Sequence, residues 1–420
     1  MKKLLCILIF TISLFHTSLF SQWIQQTVPV SKPITGIKFI DVNTGWALSS
    51  STSSLDTCYI LYTSNGGTNW SVQYTSINSM YLALSVVDAN TVYAGGGTTL
   101  STANLTKTTN GGLNWIIIPT PTNMGIDDIQ FLNKDSGWTC AGAIGADVRT
   151  TTNGGLNWIV RTSGILQQTQ RIFFLNYNTG FCGANSYLYK TTNAGLNWNL
   201  FYNPSDPVNS VFFLNDQTGW IGITNNRIKY TSNSGINWIE QTISPPSGNV
   251  WELFFINNNT GWAGVSLDYI FKTTNHGLNW GYQNVNTGSR ELCFIDSLHG
   301  WCGFLGIGLV SKTTNGGGPI FYTGFTPTGT SVPNRFNLYQ NYPNPFNPYT
   351  TIKLEVSERS VVQLYISDVL GRIKYEIVNQ SLGAGTYEFN WDSRDFSSGV
   401  YFYTLISGNN RETKKMLLVK

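Results

Sequence analysis

The stretch TTNGGLNW stands at residues 108–115 and recurs, letter for letter, at residues 151–158. Near copies begin at residues 63, 191, 231 and 273, and a truncated copy, TTNGGGPI, begins at residue 313. A second pattern runs in step with the first. FLNDQTGW at residues 213–220 has relatives that begin at residues 39, 131, 174, 255 and 294, and a degenerate copy, VVDANTVY, begins at residue 86. Most of the chain is therefore one unit repeated seven times.

Each unit contains about four short strands. In the third unit the strand-like segments DDIQFL, WTCAGA, DVRTTT and WIVRTS are separated by segments that favour turns. Four strands at a period of roughly 40–47 residues are typical of propeller blades, whereas solenoid units are usually shorter or helical. We predict an all-β protein in which a seven-bladed β-propeller over residues 22–318 is followed by a small Ig-like β-sandwich.

The two ends of the repeat region predict how the ring closes. The seventh copy breaks off where the letters NW and an outer strand should follow. The segment QWIQQTVP at residues 22–29 resembles NWIEQTIS at residues 237–244. We therefore expect residues 22–28 to supply the missing outer strand of the seventh blade, which would also remove an exposed sheet edge.

We call the first pattern the box and the second the GW turn. In the box, Asn can bond its own backbone two residues on, Gly adopts positive φ at little cost, and Trp can be buried. A calcium site is the functional alternative for such a turn. It is disfavoured because no box contains a carboxylate, the ligand that calcium prefers. A structural role is the favoured interpretation.

The boxes resemble the Asp-box of sialidases, also called the BNR repeat, with the pattern S-x-D-x-G-x-x-W. The matching residues of the six full copies are Thr63, Thr108, Thr151, Thr191, Thr231 and Thr273; Asn65, Asn110, Asn153, Asn193, Asn233 and Asn275 in place of Asp; Gly67, Gly112, Gly155, Gly195, Gly235 and Gly277; and Trp70, Trp115, Trp158, Trp198, Trp238 and Trp280. Together with the GW turns, residues 22–318 resemble the propellers of photosystem II assembly factors, sialidases and xyloglucanases. The resemblance implies a fold and says little about function.

A candidate site follows from the order of the strands. Boxes and GW turns should lie on one face of the ring, so the opposite face should hold the loops that vary between units. Three residues before the first residue of each GW turn, near the start of the inner strand, charged residues are frequent. The seven units have Gly36, Ala83, Asp128, Arg171, Ser210, Glu252 and Glu291 there, and Asp127, Trp251 and Arg290 adjoin them. We expect a polar pocket for a sugar or a peptide formed by Asp128, Arg171, Trp251, Glu252, Arg290 and Glu291. The alternative is an ordinary solvated channel mouth.

Catalysis is less expected than binding, and we assign no catalytic residue. A sialidase would need three converging arginines, and only Arg171 and Arg290 occupy suitable positions. Asp128, Glu252 and Glu291 could still provide the two carboxylates of a glycoside hydrolase. His276 and His299 lie in turns of the box face with no plausible nucleophile nearby, so a catalytic triad is disfavoured.

Composition and termini restrict the remaining functions. Only 11% of the 420 residues are charged and the formal net charge is +3, which does not favour nucleic-acid binding. Residues 1–21 have the pattern of an export signal, and a retained membrane anchor is the alternative. The sequence has no second hydrophobic run, so no stable membrane span is expected. Beyond Cys6, five scattered cysteines show no CxxC spacing, so no metal site and no cofactor are expected. Cys293 and Cys302 could pair or could be buried thiols.

The C-terminal part differs from the repeats. Residues 319–331 are rich in Pro, Gly and Thr and are predicted to be a linker. Residues 332–420 resemble the type A C-terminal sorting domain of the type IX secretion system, through NYPNPFNP at 341–348, DVLGR at 368–372, SGVYFY at 398–403 and KKMLLVK at 414–420. The resemblance implies Sec export, passage through the outer membrane and contact with the type IX secretion machinery. An ordinary Ig-like module is the alternative.

The sequence thus predicts a secreted or cell-surface propeller that binds an extracellular glycan or protein. Two alternatives stay open. One is a glycoside hydrolase on the same ring, and the other is a structural surface protein that only holds partners together.

Overall fold

The computed structural model describes residues 23–51, 56–97, 103–120, 125–142, 145–243, 248–266, 269–285, 289–304, 306, 308–318, 332–393 and 396–420. The predicted export signal and the predicted linker lie outside these residues. No helix occurs in the described ranges, so none is present there that could span a membrane. The described chain is all-β, as predicted.

The described part of the repeat region begins with a single strand, β1 (Ile24–Thr27), and seven consecutive sets of strands follow it. They are β2 (Ile34–Phe39), β3 (Gly45–Ser49), β4 (Asp56–Thr63) and β5 (Ser71–Ser79); β6 (Tyr81–Val86), β7 (Val92–Gly96), β8 (Asn104–Thr108) and β9 (Ile116–Ile117); β10 (Asp128–Phe131), β11 (Gly137–Ala141), β12 (Asp147–Thr151) and β13 (Ile159–Val160); β14 (Thr169–Phe174), β15 (Gly180–Ala184), β16 (Tyr187–Thr191) and β17 (Asn199–Tyr202); β18 (Ser210–Phe213), β19 (Gly219–Gly222), β20 (Arg227–Thr231) and β21 (Ile239–Thr242); β22 (Val250–Phe255), β23 (Gly261–Val265), β24 (Tyr269–Thr273) and β25 (Gly281–Asn284); and β26 (Ser289–Phe294), β27 (Gly300–Phe304) and β28 (Leu309–Thr313).

Each set forms an antiparallel sheet in chain order, and the sheets are arranged in a closed ring. The first strands β2, β6, β10, β14, β18, β22 and β26 contact one another in that order, and β26 contacts β2. Seven four-stranded sheets around a ring of inner strands confirm the predicted seven-bladed propeller.

The N-terminal strand completes the seventh blade. β1 pairs antiparallel with β28, so that Ile24 lies opposite Lys312 and Thr27 lies opposite Leu309. Trp23 is buried and meets Phe294 edge to face, with ring centroids 5.8 Å apart. The sixth blade has the same geometry between the Trp of its box and the Phe of its GW turn, Trp280 and Phe255, at 5.9 Å. Trp23 therefore replaces the Trp that the last box lacks, as the sequence comparison predicted.

Aromatic stacking joins the blades. The aromatic residue that ends each GW turn is buried, and in six of the seven blades it lies flat against the Phe that begins the next blade's GW turn. Six such stacks have centroid distances of 3.5–3.9 Å: Trp301 on Phe39, Tyr93 on Phe131, Trp138 on Phe174, Phe181 on Phe213, Trp220 on Phe255 and Trp262 on Phe294. The seventh position has Val86 in place of Phe and packs in one apolar cluster with Trp46.

Side-chain hydrogen bonds fold each box. In the sixth blade, Thr273 Oγ1 accepts hydrogen bonds from the backbone N–H groups of Asn275 at 3.3 Å and Gly277 at 2.9 Å. Asn275 Oδ1 accepts from the backbone N–H of Asn279 at 3.0 Å. The expectation that the Asn side chain would bond the backbone two residues on was therefore wrong. The Thr hydroxyl accepts the hydrogen bond from the N–H group two residues after it, and the Asn side chain accepts the one from the N–H group four residues after the Asn.

The residue that follows the box Asn varies between blades, and its backbone conformation explains this variation. Gly66, Gly111, Gly154 and Gly316 occupy it in four blades, and Ala194, Ser234 and His276 occupy it in the others at φ of 57–60°. That left-handed conformation is accessible to ordinary residues at moderate cost. The next position has φ of 76–88° and is Gly in every blade.

A hydrogen bond in each blade links its box to its GW turn. In the sixth blade the His276 N–H donates to the Asn259 carbonyl at 3.2 Å, and in the first the Gly66 N–H donates to the Asn43 carbonyl at 2.7 Å. The two turns therefore lie side by side on one face of the ring, and this contact explains why the two patterns repeat in step.

The C-terminal region forms two sheets around one apolar core. Its strands are β29 (Asn337–Leu338), β30 (Tyr349–Val356), β31 (Ser360–Ser367), β32 (Ile373–Leu382), β33 (Gly385–Asp392), β34 (Gly399–Ser407) and β35 (Asn410–Leu418). The sheet orders are β29-β30-β33 and β32-β31-β34-β35. The Pro-rich segment covers the edge of β35, since the Phe346 N–H donates to the Leu417 carbonyl at 3.0 Å and the Leu417 N–H donates to Asn344 Oδ1 at 2.9 Å. This arrangement is the predicted small sandwich.

The five cysteines of the described residues are buried and free. Cys293 and Cys302 belong to adjacent strands but are not opposite each other, since Cys293 faces Trp301 and Cys302 faces Leu292. The Cys293 thiol accepts a hydrogen bond from the Phe39 N–H at 3.2 Å, across the junction of the last and first blades. The two cysteines are therefore buried thiols and not a disulfide.

Candidate functional site in the central channel

The inner strands bring the predicted charged residues to one cavity. A cavity of about 380 Å³ lies on the channel axis and is lined by Asp127, Asp128, Arg171, Ser210, Glu252, Arg290 and Glu291. These residues lie at the starts of inner strands, at the mouth opposite the boxes and GW turns. Five of the six predicted site residues line this cavity. Trp251, the sixth, does not.

Local β-bulges shape the mouth. Five inner strands contain an extra residue directly before the position that faces the channel, and the pairing register shifts there. These residues are Thr35, Leu82, Gln170, Trp251 and Arg290. Bulges re-aim side chains at the ends of strands, and they are frequent beside functional sites.

Arg290 lines the cavity and contacts Trp251, which lies outside it. The Arg290 guanidinium lies over the Trp251 ring at 4.8 Å from its centroid, and Trp251 Nε1 donates to Ser266 Oγ at 2.7 Å. Burial, followed by the like charge of Arg171, lowers the pKa of Arg290. One face of the indole is thus covered by a cation, which restricts how a ligand ring could stack on it.

Asp128 and Arg171 bond to the backbone of neighbouring blades. Asp128 Oδ2 accepts from the Ile172 N–H at 3.0 Å, and Arg171 Nε donates to the Asn209 carbonyl at 2.7 Å. Burial raises the pKa of Asp128 although Arg171 opposes the shift. Burial lowers the pKa of Arg171, but Asp128, Glu252 and Glu291 outweigh it and the net shift is upward. Both residues therefore have a structural role in joining inner strands.

Lys38 is a cavity residue that the sequence analysis missed. Its Nζ lies 3.6 Å from Glu252 Oε1. Lys38 belongs to the first blade and Glu252 to the sixth, and both line the cavity. Burial opposes its charge, but Glu252 and other acidic neighbours outweigh burial and raise its pKa. A signal was present, because Lys38 lies two residues after Gly36 on the same side of the strand, and no other unit has a charged residue at that position.

The carboxylates of Glu252, Glu291 and Asp127 have raised pKa values. Burial, followed by the proximity of Glu252, raises the pKa of Glu291 to about 7. Burial also raises the pKa of Glu252, against the opposing charge of Lys38. Burial raises the pKa of Asp127 to about 6, and its Oδ2 accepts a hydrogen bond from the Gly142 N–H at 2.7 Å. The cavity thus holds carboxyl groups whose charged form is disfavoured by burial, and hydrogen-bond donors of a ligand would stabilise that charged form.

The two histidines of the turns are remote from this chemistry. His276 belongs to a box, and His299 belongs to a GW turn where its Nδ1 lies 2.8 Å from Asp296 Oδ2. Among the described residues, no group of three or more His, Cys, Asp or Glu side chains is placed to bind a metal ion.

Comparison with known proteins separates the two parts of the chain. The family model of the secretion-system C-terminal sorting domain matches residues 340–420. No match was found among curated proteins.

Several solved propellers resemble the chain in fold. A structure of YCF48 bound to D1 peptide has a TM-score of 0.57 and 18% identity, covering 70% of this chain and 98% of that one. YCF48 from Cyanidioschyzon merolae has a TM-score of 0.56 and 15% identity, over 70% of this chain and 98% of that chain. PorZ, a surface component of the type IX secretion system of Porphyromonas gingivalis, has a TM-score of 0.52 and 14% identity; the match covers 91% of this chain and 59% of PorZ. At these identities the likeness shows the fold alone.

The propeller fold of these structures and the C-terminal match agree with the resemblances found in the sequence. Residues 340–420 are a secretion-system C-terminal sorting domain, and the protein is a propeller exported by type IX secretion to the cell surface or the extracellular space.

Proposed function

We propose that the propeller is a non-catalytic binding module whose channel mouth holds a donor-rich group of an extracellular glycan or protein. The observation that supports this most directly is the shared cavity of Glu252, Glu291, Arg290 and Asp127. A volume of about 380 Å³ suits one sugar residue or one polar side chain, at the small end of known ligand pockets. The remainder of the ligand would then lie across the loops around the mouth.

The hydrogen bonds of the cavity residues divide them into two groups, those that bond to the protein backbone and those that are available to a ligand. Asp128 and Arg171 are occupied by neighbouring backbone groups. Among the described residues, the Glu291 side chain has no hydrogen bond or ion pair, and the Glu252 carboxylate has one ion pair, with Lys38. A structural role therefore does not explain these two carboxyl groups. Hydroxyl, ammonium or guanidinium groups of a ligand would satisfy them.

A peptide ligand has support from a protein of the same fold. One of the similar solved propellers, YCF48, was determined with a D1 peptide bound. A propeller of this fold can therefore bind a peptide. In the present chain the covered face of Trp251 leaves less room for a sugar to stack, which favours a polar side chain of a protein as the inserted group.

Binding to glycan and peptide arrays tests the proposal. The wild-type mature protein should select a set of ligands, and Glu252→Gln and Glu291→Gln should each weaken that binding by about tenfold, the loss of one charged hydrogen bond. Glu240→Gln is the matched control, because Glu240 lies on the outer strand β21 and pairs with Lys229 at 2.7 Å. Unchanged binding by both channel variants would refute the proposal.

Glycoside hydrolysis is the second candidate function. It is favoured by one observation, that the pKa of Glu291 is raised to about 7 in a cavity that also contains Glu252. A carboxyl group that stays protonated near neutral pH suits a general acid, and a second carboxylate could act as base or nucleophile. Release of reducing sugar from a bound glycan, abolished by Glu291→Gln, would establish hydrolysis in place of simple binding.

A further inference from the structure

The charged groups of the channel cavity do not balance one another. Within the described residues, four carboxyl groups and three cationic groups line the cavity. The carboxyl groups belong to Asp127, Asp128, Glu252 and Glu291, and the cations are Lys38, Arg171 and Arg290. The inner strands β6 and β18, both fully described, add no ionisable side chain to this lining. When every group is ionised, the cavity therefore carries one negative charge in excess.

Each of the three cations already has a partner in the protein. Lys38 forms an ion pair with Glu252. The Arg171 guanidinium donates hydrogen bonds to two backbone carbonyl groups, at 2.7 and 2.9 Å. The Arg290 guanidinium lies over the ring of Trp251. An anionic ligand would therefore have to compete with existing contacts for each cation of the cavity.

The excess negative charge belongs to Glu291. Asp127 and Asp128 accept hydrogen bonds from backbone N–H groups, and Glu252 pairs with Lys38. The Glu291 carboxyl group has no such partner among the described residues. Burial, followed by the proximity of Glu252, raises its pKa to about 7. Near neutral pH, a proton on Glu291 is thus what balances the charge of the cavity.

We propose that the group inserted in this cavity is the cationic side chain of an arginine or a lysine of an extracellular protein. The inference rests on the proposed function, of which it specifies the ligand class. A guanidinium or ammonium group beside Glu291 would replace its proton, which passes to the solvent, and the cavity would stay neutral. Charge-assisted hydrogen bonds are roughly twice as strong as neutral ones, so a cation gains more from this carboxylate than a sugar hydroxyl does.

Exchange of a proton for a cation makes the binding depend on pH. Below pH 7 the ligand must displace the Glu291 proton, so the affinity for a cation should rise about tenfold from pH 6 to pH 8 and then level off. The pKa values of Asp127, Asp128 and Glu252 are also raised, and their ionisation acts in the same direction. The three cations of the cavity stay charged over this range.

Binding of short blocked peptides by the full chain without its predicted export signal tests the proposal. The probes are a glycine peptide with one central arginine, the same peptide with lysine, and the same peptide with citrulline, which keeps the size of arginine but not its charge. In isothermal titration calorimetry at pH 8, the wild type should bind the arginine or the lysine peptide at least about tenfold more tightly than the citrulline peptide. At pH 6 the binding should be weaker and should release a proton, which makes the heat depend on the ionisation enthalpy of the buffer.

Two channel variants should change this binding in opposite directions. Glu291→Gln has the shape of the protonated side chain, so it should fold normally and lose both the preference for arginine over citrulline and most of the pH dependence. Lys38→Gln leaves Glu252 without its ion pair, so it should bind the arginine peptide about tenfold more tightly than the wild type, the gain of one charged hydrogen bond. Glu240→Gln is again the matched control and should bind like the wild type. Thermal melting verifies that each variant is folded.

The possible results separate this inference from the proposed function. Tighter binding of a cationic peptide, with the opposite shifts of the two folded variants, supports the inference. Equal binding of the arginine and citrulline peptides, both weakened by Glu291→Gln, overturns the cationic ligand and leaves the channel as the binding site. Arginine binding that neither variant alters overturns the inference and the proposed function together. Failure of both cationic peptides to bind at millimolar concentration also overturns the inference, and the proposed function then stands if a ligand selected on the arrays still requires Glu291.

Discussion

The two faces of the propeller differ in how much their sequences repeat. On the face formed by boxes and GW turns, every blade has Thr in the first box position and Gly in the fifth, and each blade has the same hydrogen bond between its two turns. At the opposite mouth, the seven equivalent channel positions are occupied by Gly, Ala, Asp, Arg, Ser and two Glu. One face is nearly seven copies of one structure, and the other has little repetition.

This difference separates the positions that folding requires from the positions at which we propose that a ligand binds. The repeated positions are buried rings, turn glycines and side chains that bond to turn backbone, so their chemistry is needed in every blade for stability. Four of the seven unrepeated positions are partly buried charges in one cavity, which stability alone would not select. Changes on the repeated face should therefore affect folding. Changes to Glu252 and Glu291 at the mouth should affect binding, whereas Asp128 and Arg171 also join inner strands.

Removal of the closing strand should have the largest effect on stability. Deletion of residues 23–28 from the mature protein removes β1 and the buried Trp23, and a buried Trp alone contributes about 3–5 kcal/mol. We expect the deletion to lower the melting temperature strongly and to broaden the transition in thermal and denaturant unfolding. Ile24→Gln, an exposed position in the same strand, is the control and should unfold like the wild type. Unchanged cooperative melting of the deletion would contradict closure by the N-terminus.

Loss of one box hydroxyl should reduce the stability of the folded protein less than removal of the closing strand. Thr273→Ala removes the acceptor of the Asn275 and Gly277 N–H groups at a buried position, which should cost about 1–3 kcal/mol in the free energy of unfolding. Thr273→Ser keeps the hydroxyl and should lose much less. Ligand binding by both variants should be normal while they remain folded. Equal destabilisation by Ala and Ser would mean that the methyl group, and not the hydrogen bonds, stabilises the box.

A channel carboxylate should give the smallest effect on stability at pH 5, where it is protonated in the folded protein, and the effect should depend on pH. The folded protein holds the Glu291 proton up to about pH 7, whereas the unfolded chain releases it near 4.5. Between these values the folded state binds more protons, so the contribution of Glu291 to stability falls as pH rises from about 4.5 to 7 and is level above that. Glu291→Gln should remove this dependence, so its stability relative to the wild type should increase from pH 5 to pH 8. Denaturant unfolding at both values measures it, and a constant difference would show that Glu291 ionises normally.

The sequence was sufficient for the repeated parts because each prediction rested on several copies. Trp23 could be placed in the seventh blade because its surroundings match those of Trp238, and the blade that lost its Trp was identifiable. Asp128, Arg171, Glu252 and Glu291 could be grouped because a fixed offset from the GW turn defines a level of the channel.

The remaining features depend on local geometry that the repeat does not specify. Trp251 and Arg290 occupy the same bulge position, yet Arg290 lines the cavity and Trp251 lies outside it, because a bulge frees the side chain from the alternation of the strand. Lys38 was missed because the comparison of units considered one position per strand, while long side chains from the next inward position also reach the cavity. The role of the box Asn was misjudged because the Thr hydroxyl competes for the nearer N–H groups.

The most direct test of the account is the position of a bound ligand in a crystal structure of the complex with a ligand selected on the arrays. We predict a polar group of that ligand in the channel cavity, within hydrogen-bond distance of Glu252 or Glu291, with the box face unoccupied. A ligand bound to the boxes, the GW turns or the outer strands, with the channel empty, would contradict the division between a structural face and a binding mouth.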